Sequence, residues 1–487
     1  MKIHQYMVLG ALLFTMSSCG NDWLNLEPST SMPTDKAIQE LSDVKFTLNG
    51  VYNVMQNAHA YSGRLVYYGD ATGDDMQAVS VTKRTGNYYL FNFTKDNSPT
   101  TFWSYPYGLI ATCNLALDKI DNINTTATDL RDAYKGEALA LRGMFLFDLT
   151  RFYGYPYKKD NGTSLGVPIV TKVLDKEAKP DRNTVAECYK QVISDLTDAA
   201  KLMNNKEGLS YKKGHISRWA VLTLLSRVYL YHGDDALALA AAEEAIEGAE
   251  ADRYTLWTNE QYPLAWADNV SPTKRGEVLF EIINITDDSP GKESLGYLHN
   301  GSGYSDIVLT GSFYKLFTAD KNDVRNRLIS ISGKRGYINK YQPQEGENIK
   351  DANIFLVRLS ETYLNAAEAA VKTGDNAKAV KYLDAIVKRA NPAKTVNGTT
   401  VTLDQVMTER RKELVGEGHR MFDALRDGGF VHREKVTVSA ISKVKHLTMN
   451  EKYMNFNWDM YKCVLPIPKA ERDANPNIKQ NPQYDVE

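Results

Sequence analysis

The chain has 487 residues, 43% of them hydrophobic, and a formal net charge of −2. That balance lacks the basic face that nucleic-acid binding demands. The length exceeds a single small core and permits one large domain or two intimate ones.

The first element in chain order is a leader. Lys2 and His4 open it, an apolar run extends from Tyr6 to Met16, and Ser17-Ser18 precede Cys19. A short basic region, an h-region of about ten residues and small residues before a break describe a secretory signal, too short to span a bilayer. Cysteine directly after small residues is the lipobox arrangement. It predicts a signal peptide over 1–18, cleavage before Cys19, and acylation of the Cys19 thiol at the new N-terminus. Residues 19–34, starting Gly20-Asn21-Asp22, then read as a polar tether, and two or more acyl chains anchor a protein stably where one does not. No later segment approaches transmembrane length. The remaining thiols, Cys113, Cys188 and Cys463, are too widely spaced for a disulfide framework and read as small buried hydrophobes.

Residues 35–487 read as one domain. Helical periodicity marks Asp35–Ala58, Phe102–Asp121, Leu130–Tyr153, Thr184–Met203, Ile216–Tyr231, Asp234–Glu250, Phe355–Lys372, Asn376–Arg389 and Leu403–Leu425. Thr184, with Glu187 three residues later, supplies a capping box. Two helix pairs, separated by Gly233 and Gly374, share their internal spacing. Leu222, Ser226 and Tyr229 sit on the first helix of one pair and Ala238, Ala242 and Ala245 on its second; in the other pair Tyr363, Ala367 and Ala370 precede Ala379, Leu383 and Ile386. This is a tetratricopeptide-like pattern, with small residues where helices cross. The pairs lie too far apart to be tandem copies, so the fold class is mainly α: a degenerate helical repeat scaffold with insertions. Those insertions, about 69–99 and 252–341, are rich in Gly, Asn, Asp, Ser and Tyr and read as loops with a few short strands, the kind of segment on a rigid scaffold where recognition usually sits.

Two insertion segments combine aromatic faces with hydrogen-bonding groups. Asp75–Trp103 holds Asp75, Arg84, Tyr88, Tyr89 and Trp103; Tyr297–Tyr304 holds Tyr297, Asn300 and Tyr304 among Gly296, Gly301 and Gly303. These eight are the candidate ligand-binding residues, with Trp257–Trp266 as the next choice. If Tyr88 and Tyr89 lie in a strand, they point to opposite faces and at most one meets ligand.

The carboxylates that tempt an enzymatic reading do not carry it. Glu413 and Glu417 lie four apart on the helix predicted from Leu403, roughly 6 Å apart at Cβ. A glycosidase needs two close carboxyls, one with a raised pKa, but Arg410, Arg411 and Arg420 crowd the same segment and lower carboxyl pKa values. His419 reads as a hydrogen-bonded structural residue. The run Asp320–Arg325 lacks glycine at the sixth position of a calcium loop, so Asp323 and Arg325 read as pinning a turn. No phosphate loop, dinucleotide fingerprint, His-Glu-x-x-His or Gly-x-Ser-x-Gly motif occurs, and neither a cofactor nor a metal is expected. Pro466, Pro468, Pro476 and Pro482 predict an extended C-terminal tail packed through Val464, Leu465 and Ile467.

Five stretches in order resemble the SusD/RagB family. They are Cys19-Gly-Asn-Asp-Trp-Leu-Asn-Leu-Glu-Pro28; Gly136-Glu-Ala-Leu-Ala-Leu-Arg142, ending at Arg151-Phe-Tyr-Gly-Tyr-Pro156; Arg182-Asn-Thr-Val with Asp195-Leu196; Val357 through Glu368, leading to Glu409-Arg-Arg-Lys-Glu-Leu and Glu417-Gly-His-Arg420; and Leu465-Pro-Ile-Pro through Pro476, followed by Gln480-Asn-Pro-Gln-Tyr484. The resemblance implies a four-repeat tetratricopeptide scaffold with an irregular lobe, an outer-membrane address, and a SusC-like TonB-dependent barrel as partner. It also implies a glycan site built from loops in the two segments named above. The expected function is non-catalytic capture of oligosaccharide at the cell surface for import. Peptide capture, glycan cleavage and pure scaffolding are the competing readings, separable by a glycan array, reducing-sugar release and ligand-free pull-down.

Overall fold

The computed structural model describes residues 38–82, 84–203, 214–267, 276–343, 346–434 and 451–486. The leader, Cys19 and the tether lie outside the described residues.

The long helices form where apolar periodicity predicts them: α1 (Leu41–Met55), α2 (Thr101–Ile120), α3 (Thr128–Tyr153), α4 (Val185–Leu202), α5 (Arg218–His232), α6 (Asp235–Ala251), α7 (Leu359–Lys372), α8 (Asn376–Ala390) and α9 (Leu403–Leu414). The Thr184–Glu187 capping box starts α4 with both reciprocal hydrogen bonds made. Each helix from α1 to α8 packs on the next. This includes α6 on α7, so the two repeat pairs that are distant in sequence stack directly in space, and the insertion between them loops out and returns. Ala238, Ala242, Ala245, Ala367, Ala370 and Ala379 are fully buried at these crossings. Between α5 and α7 the contact is also polar: the Thr223 and Thr362 hydroxyls lie 2.8 Å apart, and the Asn365 amide donates to Ser226 Oγ at 2.8 Å. One hydrophobic cluster runs from Ile38 to Tyr484.

Two of the expected helices differ. The run Ile354–Arg358 is strand β6, which pairs antiparallel with β2 (Val278–Ile282), so α7 starts at Leu359. The segment Leu403–Leu425 breaks after Leu414. Gly416 and Gly418 take φ values of +81° and +85° there, and a second short helix starts at Arg420.

The insertions hold short helices at Arg64–Ala71, Arg84–Tyr89, Leu295–His299 and Gly311–Phe317, in addition to the expected strands. The two insertions meet through β1 (Met76–Ala78) and β3 (Ile307–Leu309), paired antiparallel with Met76 opposite Leu309. The strands β4 (Ile329–Ser332) and β5 (Arg335–Ile338) form a separate hairpin. The C-terminal tail packs through the expected residues but is not extended throughout, because a short helix, Lys469–Ala474, lies between Pro468 and Pro476. Val464, Leu465 and Ile467 are buried, Leu465 N donates to Phe152 O at 2.7 Å, and Asn481 Nδ2 donates to Tyr153 O at 2.9 Å. Cys113, Cys188 and Cys463 are free and buried.

Candidate functional site

The site grows from the short helix Leu295–His299, capped where Ser294 Oγ accepts from Tyr297 N at 3.3 Å. The chain after Asn300 doubles back on that helix. Gly303 N donates to Asn300 O at 3.0 Å, Tyr304 N to Tyr297 O at 2.9 Å, and Asp306 N to Leu298 O at 3.0 Å. A Cβ on Gly303 would sit 2.1 Å from the Tyr297 carbonyl oxygen, so the return needs glycine. The result is an aromatic corner: the half-buried rings of Tyr297 and Tyr304 lie 4.9 Å apart at 87°, the edge-to-face geometry that ring quadrupoles favour.

Arg84, at the start of its short helix, closes the corner from the other insertion. Its guanidinium lies 4.1 Å over the Tyr304 ring. It donates to both oxygens of Glu293 at 2.6 Å and to Asp306 Oδ2 at 3.1 Å. The hydrogen bonds from Arg84 hold the Glu293 carboxyl below its ordinary range. Thr85 Oγ1 donates to Asp306 O at 3.0 Å, which fixes the two insertions to each other. Asn300, half-buried at the loop's start, orders it by accepting from Ser302 N at 2.8 Å. Arg84, Tyr297, Asn300 and Tyr304 therefore come together. Glu293, absent from the sequence candidates, joins them; its only sequence signal is its place in the same polar insertion.

The other candidates lie in the core. Tyr88 and Tyr89 belong to a short helix, not a strand, and both are buried. Tyr88 packs against Tyr67, Tyr68 and Phe102, and Tyr89 lies under the Arg433 guanidinium at 4.1 Å. Trp103 is a core anchor between Tyr107 and Tyr153. Asp75 is buried, accepting from Arg411 Nε at 3.1 Å with Arg420 at 3.6 Å. Trp257 and Trp266 are buried as well, against Tyr262 and Phe355.

The tempting carboxylates form a buried ion network, with partners the sequence did not name. Glu413 Oε1 meets Arg358 Nη1 at 3.0 Å and Glu413 Oε2 meets Arg389 Nη2 at 2.7 Å. Arg410, Arg411 and Arg420 pair elsewhere, with Asp423, Asp75 and Asp74. Glu417 lies beyond the helix end and binds Arg358 and Lys340, at 2.7 and 2.6 Å. Burial alone would raise the Glu413 pKa; Arg389, Arg358 and Arg325 overcome it and hold the carboxyl well below its ordinary range. Glu413 is therefore an ionised structural group rather than a proton donor. Asp323 and Arg325 pin their turn as expected, and Arg325 also reaches Glu409 at 2.7 Å. His419 is buried among charges, and desolvation drives its imidazole neutral; its Nδ1 has no hydrogen-bond partner among the described residues.

A family profile described as "Starch-binding associating with outer membrane" matches residues 22–230, and one described as "SusD family" matches residues 299–484. A crystal structure of a putative sugar binding protein from Bacteroides vulgatus is 59% identical, spans 92% of this chain and 100% of its own, and has a TM-score of 0.89. A SusD superfamily protein from the same organism is 35% identical over 92% of this chain and 100% of its own, with a TM-score of 0.82. SusD-like protein P38 of Formosa agariphila is 24% identical over 97% of both chains.

Proposed function

The chain belongs to the SusD family, and on that premise we propose that it is a non-catalytic, lipid-anchored glycan-binding protein that delivers oligosaccharide to a SusC-like TonB-dependent outer-membrane barrel. The observation that carries the reading is the Tyr297–Tyr304 corner with Arg84, Glu293 and Asn300 around it. Sugars present apolar C–H faces and ringed hydroxyls. Aromatic faces supply contact area, and fixed polar groups set direction. The close relative described as a putative sugar binding protein supports the ligand class. The ion-paired state of Glu413 supports binding without cleavage.

Purified protein lacking residues 1–18 is expected to be retarded in gels containing its polysaccharide, and to release no reducing ends from that polysaccharide. Release of reducing ends that disappears in Glu413→Gln, at unchanged melting temperature, would make it an enzyme.

The anchor is proposed at Cys19 and the barrel contact on the helical scaffold, as a large, permanent interface. Cys19→Ala is expected to move the protein from the detergent phase to the aqueous phase while the folded domain melts as before, because the acyl chains add membrane affinity and no core packing. Equal partitioning of the two forms would remove lipidation from the account.

A further inference from the structure

We infer that the cavity between the C-terminal tail and the chain that follows α3 is a second binding site, one that takes a small hydroxylated carboxylate. It shares no residue with the Tyr297–Tyr304 corner and stands independently of the glycan reading.

The tail makes the cavity by folding back on itself. Gln480 Nε2 donates to Ile467 O at 3.0 Å and Asn481 Nδ2 to Leu465 O at 2.8 Å, with the helix Lys469–Ala474 between the joined ends. Ile478 is buried in this strap. Between the strap and Tyr155, Ser164 and Leu165 lies a space of about 550 Å³. Small-molecule sites occupy roughly 300–1,000 Å³.

The charge around that space is unbalanced. Arg182 is buried behind the wall. Its Nε donates to Gly166 O at 2.7 Å and its Nη1 to Lys479 O at 2.9 Å. Its Nη2 donates to Leu165 O at 2.9 Å and to Asn481 Oδ1 at 2.8 Å. All these acceptors are neutral, and no carboxylate pairs with Arg182 among the described residues. Other buried arginines are matched: Arg142 meets Asp195 at 2.7 Å, Arg227 meets Glu361 at 2.6 Å and Arg426 meets Glu368 at 2.6 Å. A buried charge is costly unless it is paired. Burial pulls the Arg182 pKa down to about 10, so the group keeps its proton at neutral pH. Leu165, Lys479 and Asn481, which hold Arg182, also line the cavity. The unmatched charge therefore acts on the cavity through its field.

Two more cations stand on the wall itself. Arg472 is half-buried and Lys479 exposed. Arg472 Nη2 donates to Lys95 O at 2.7 Å, and neither side chain has a carboxylate partner among the described residues. Asp485 is the one carboxylate among the described lining residues. An arginine fork matches a carboxylate, and a lysine adds a point charge. Tyr155, half-buried on the opposite wall, supplies a ring face and a hydroxyl. Burial pushes its phenol above the ordinary range, so it stays protonated and donates. The room exceeds what a bare inorganic anion needs. A carboxylate bearing hydroxyls suits both the charge and the space, a chemistry that an acidic sugar shares with a free hydroxy acid.

The test is isothermal titration of protein lacking residues 1–18 at low ionic strength with glucuronate, malate and glucose. Wild type is compared with Lys479→Gln, Arg472→Gln, Asp485→Asn and Tyr297→Ala. At least one of the two carboxylates should bind, at least tenfold more tightly than glucose, and added salt should weaken it. Lys479→Gln and Arg472→Gln should each weaken binding about two- to tenfold, and Asp485→Asn should tighten it by a similar factor. Tyr297→Ala should bind as wild type does. Tighter binding of glucuronate would assign the site to an acidic sugar, and tighter binding of malate to a free hydroxy acid; both support the inference. Arg472→Gln also frees Lys95 O and can loosen the tail, so the exposed Lys479 and Asp485 decide. Wild-type affinity in both of those variants would overturn the inference. So would failure of both carboxylates to bind, equal affinity for glucose, or loss of carboxylate binding in Tyr297→Ala.

Discussion

Arg358→Met is expected to cost about 3–5 kcal/mol of folding stability, the range for removing one member of a buried charge cluster. Arg358 is the last residue of β6, directly before α7, and is fully buried on its side chain. It donates to Glu277, to Glu413 at 3.0 Å and to Glu417 at 2.7 Å. Methionine fills much of the volume but leaves three buried carboxylates short of a cation, with Arg389, Arg325 and Lys340 still bound to parts of the network. The cluster also joins the lobe, through Lys340, to the scaffold, through Glu413, so its loss should loosen one against the other. Lys388→Met is the control. Its pair with Asp384 is more than half exposed on the lysine side, and such pairs contribute about 0–1 kcal/mol. Equal denaturation midpoints for the two variants would contradict the account. Acid should act in the same direction. Burial works against ionising Glu361, but the Arg227 charge and hydrogen bonds, with Arg410 behind them, bring its pKa down to about 2. A depressed folded-state pKa gives stability that is present above the ordinary carboxylate range and lost as pH falls toward about 2.

Gly303→Val is expected to remove most glycan binding while leaving the scaffold folded. The first side-chain atom would lie 2.1 Å from the Tyr297 carbonyl oxygen, which already accepts from Tyr304 N. Backbone does not yield as a flexible side chain would. The loop must open, and Tyr304 leaves both the Tyr297 ring and the Arg84 guanidinium. Losing the edge-to-face pair and the cation contact together predicts a fall in affinity of about 1–3 kcal/mol, or roughly fivefold to a little over a hundredfold at about 1.4 kcal/mol per decade. Far-ultraviolet circular dichroism should be unchanged, since the loop lies outside α1–α9. Wild-type affinity in Gly303→Val would place the ligand away from this loop.

Much of the scaffold is legible in the sequence because amphipathic helices repeat their apolar residues every turn. The failures have local causes. Ile354–Val357 is a short apolar run without a period, which cannot distinguish a buried strand from the start of a helix. The stretch through Met421–Leu425 stays apolar after the chain has broken at Gly416 and Gly418, so periodicity alone carries the helix too far. The candidate site is legible as two polar, aromatic insertions, and β1–β3 brings those insertions together. Which rings reach the surface was not legible. Tyr89 is covered by Arg433, far along the chain, and Tyr88 by Tyr67, Tyr68 and Phe102. Long-range packing of that kind leaves no local pattern. The Glu413 partners were misassigned for the same reason: Arg325, Arg358 and Arg389 come from other elements, while the arginines beside it on its own helix point elsewhere.

The central claim is that glycan meets the protein at the Tyr297–Tyr304 corner. Its most direct test is isothermal titration of the oligosaccharide that wild type retains against Tyr297→Ala, Tyr304→Ala and, as a core comparison, Tyr88→Phe. Each alanine variant should bind about 0.5–1.5 kcal/mol more weakly, the loss of one aromatic contact, with its melting temperature close to wild type. Tyr88→Phe should bind as wild type does, because that ring sits inside the fold. Undiminished affinity in both alanine variants would contradict the account.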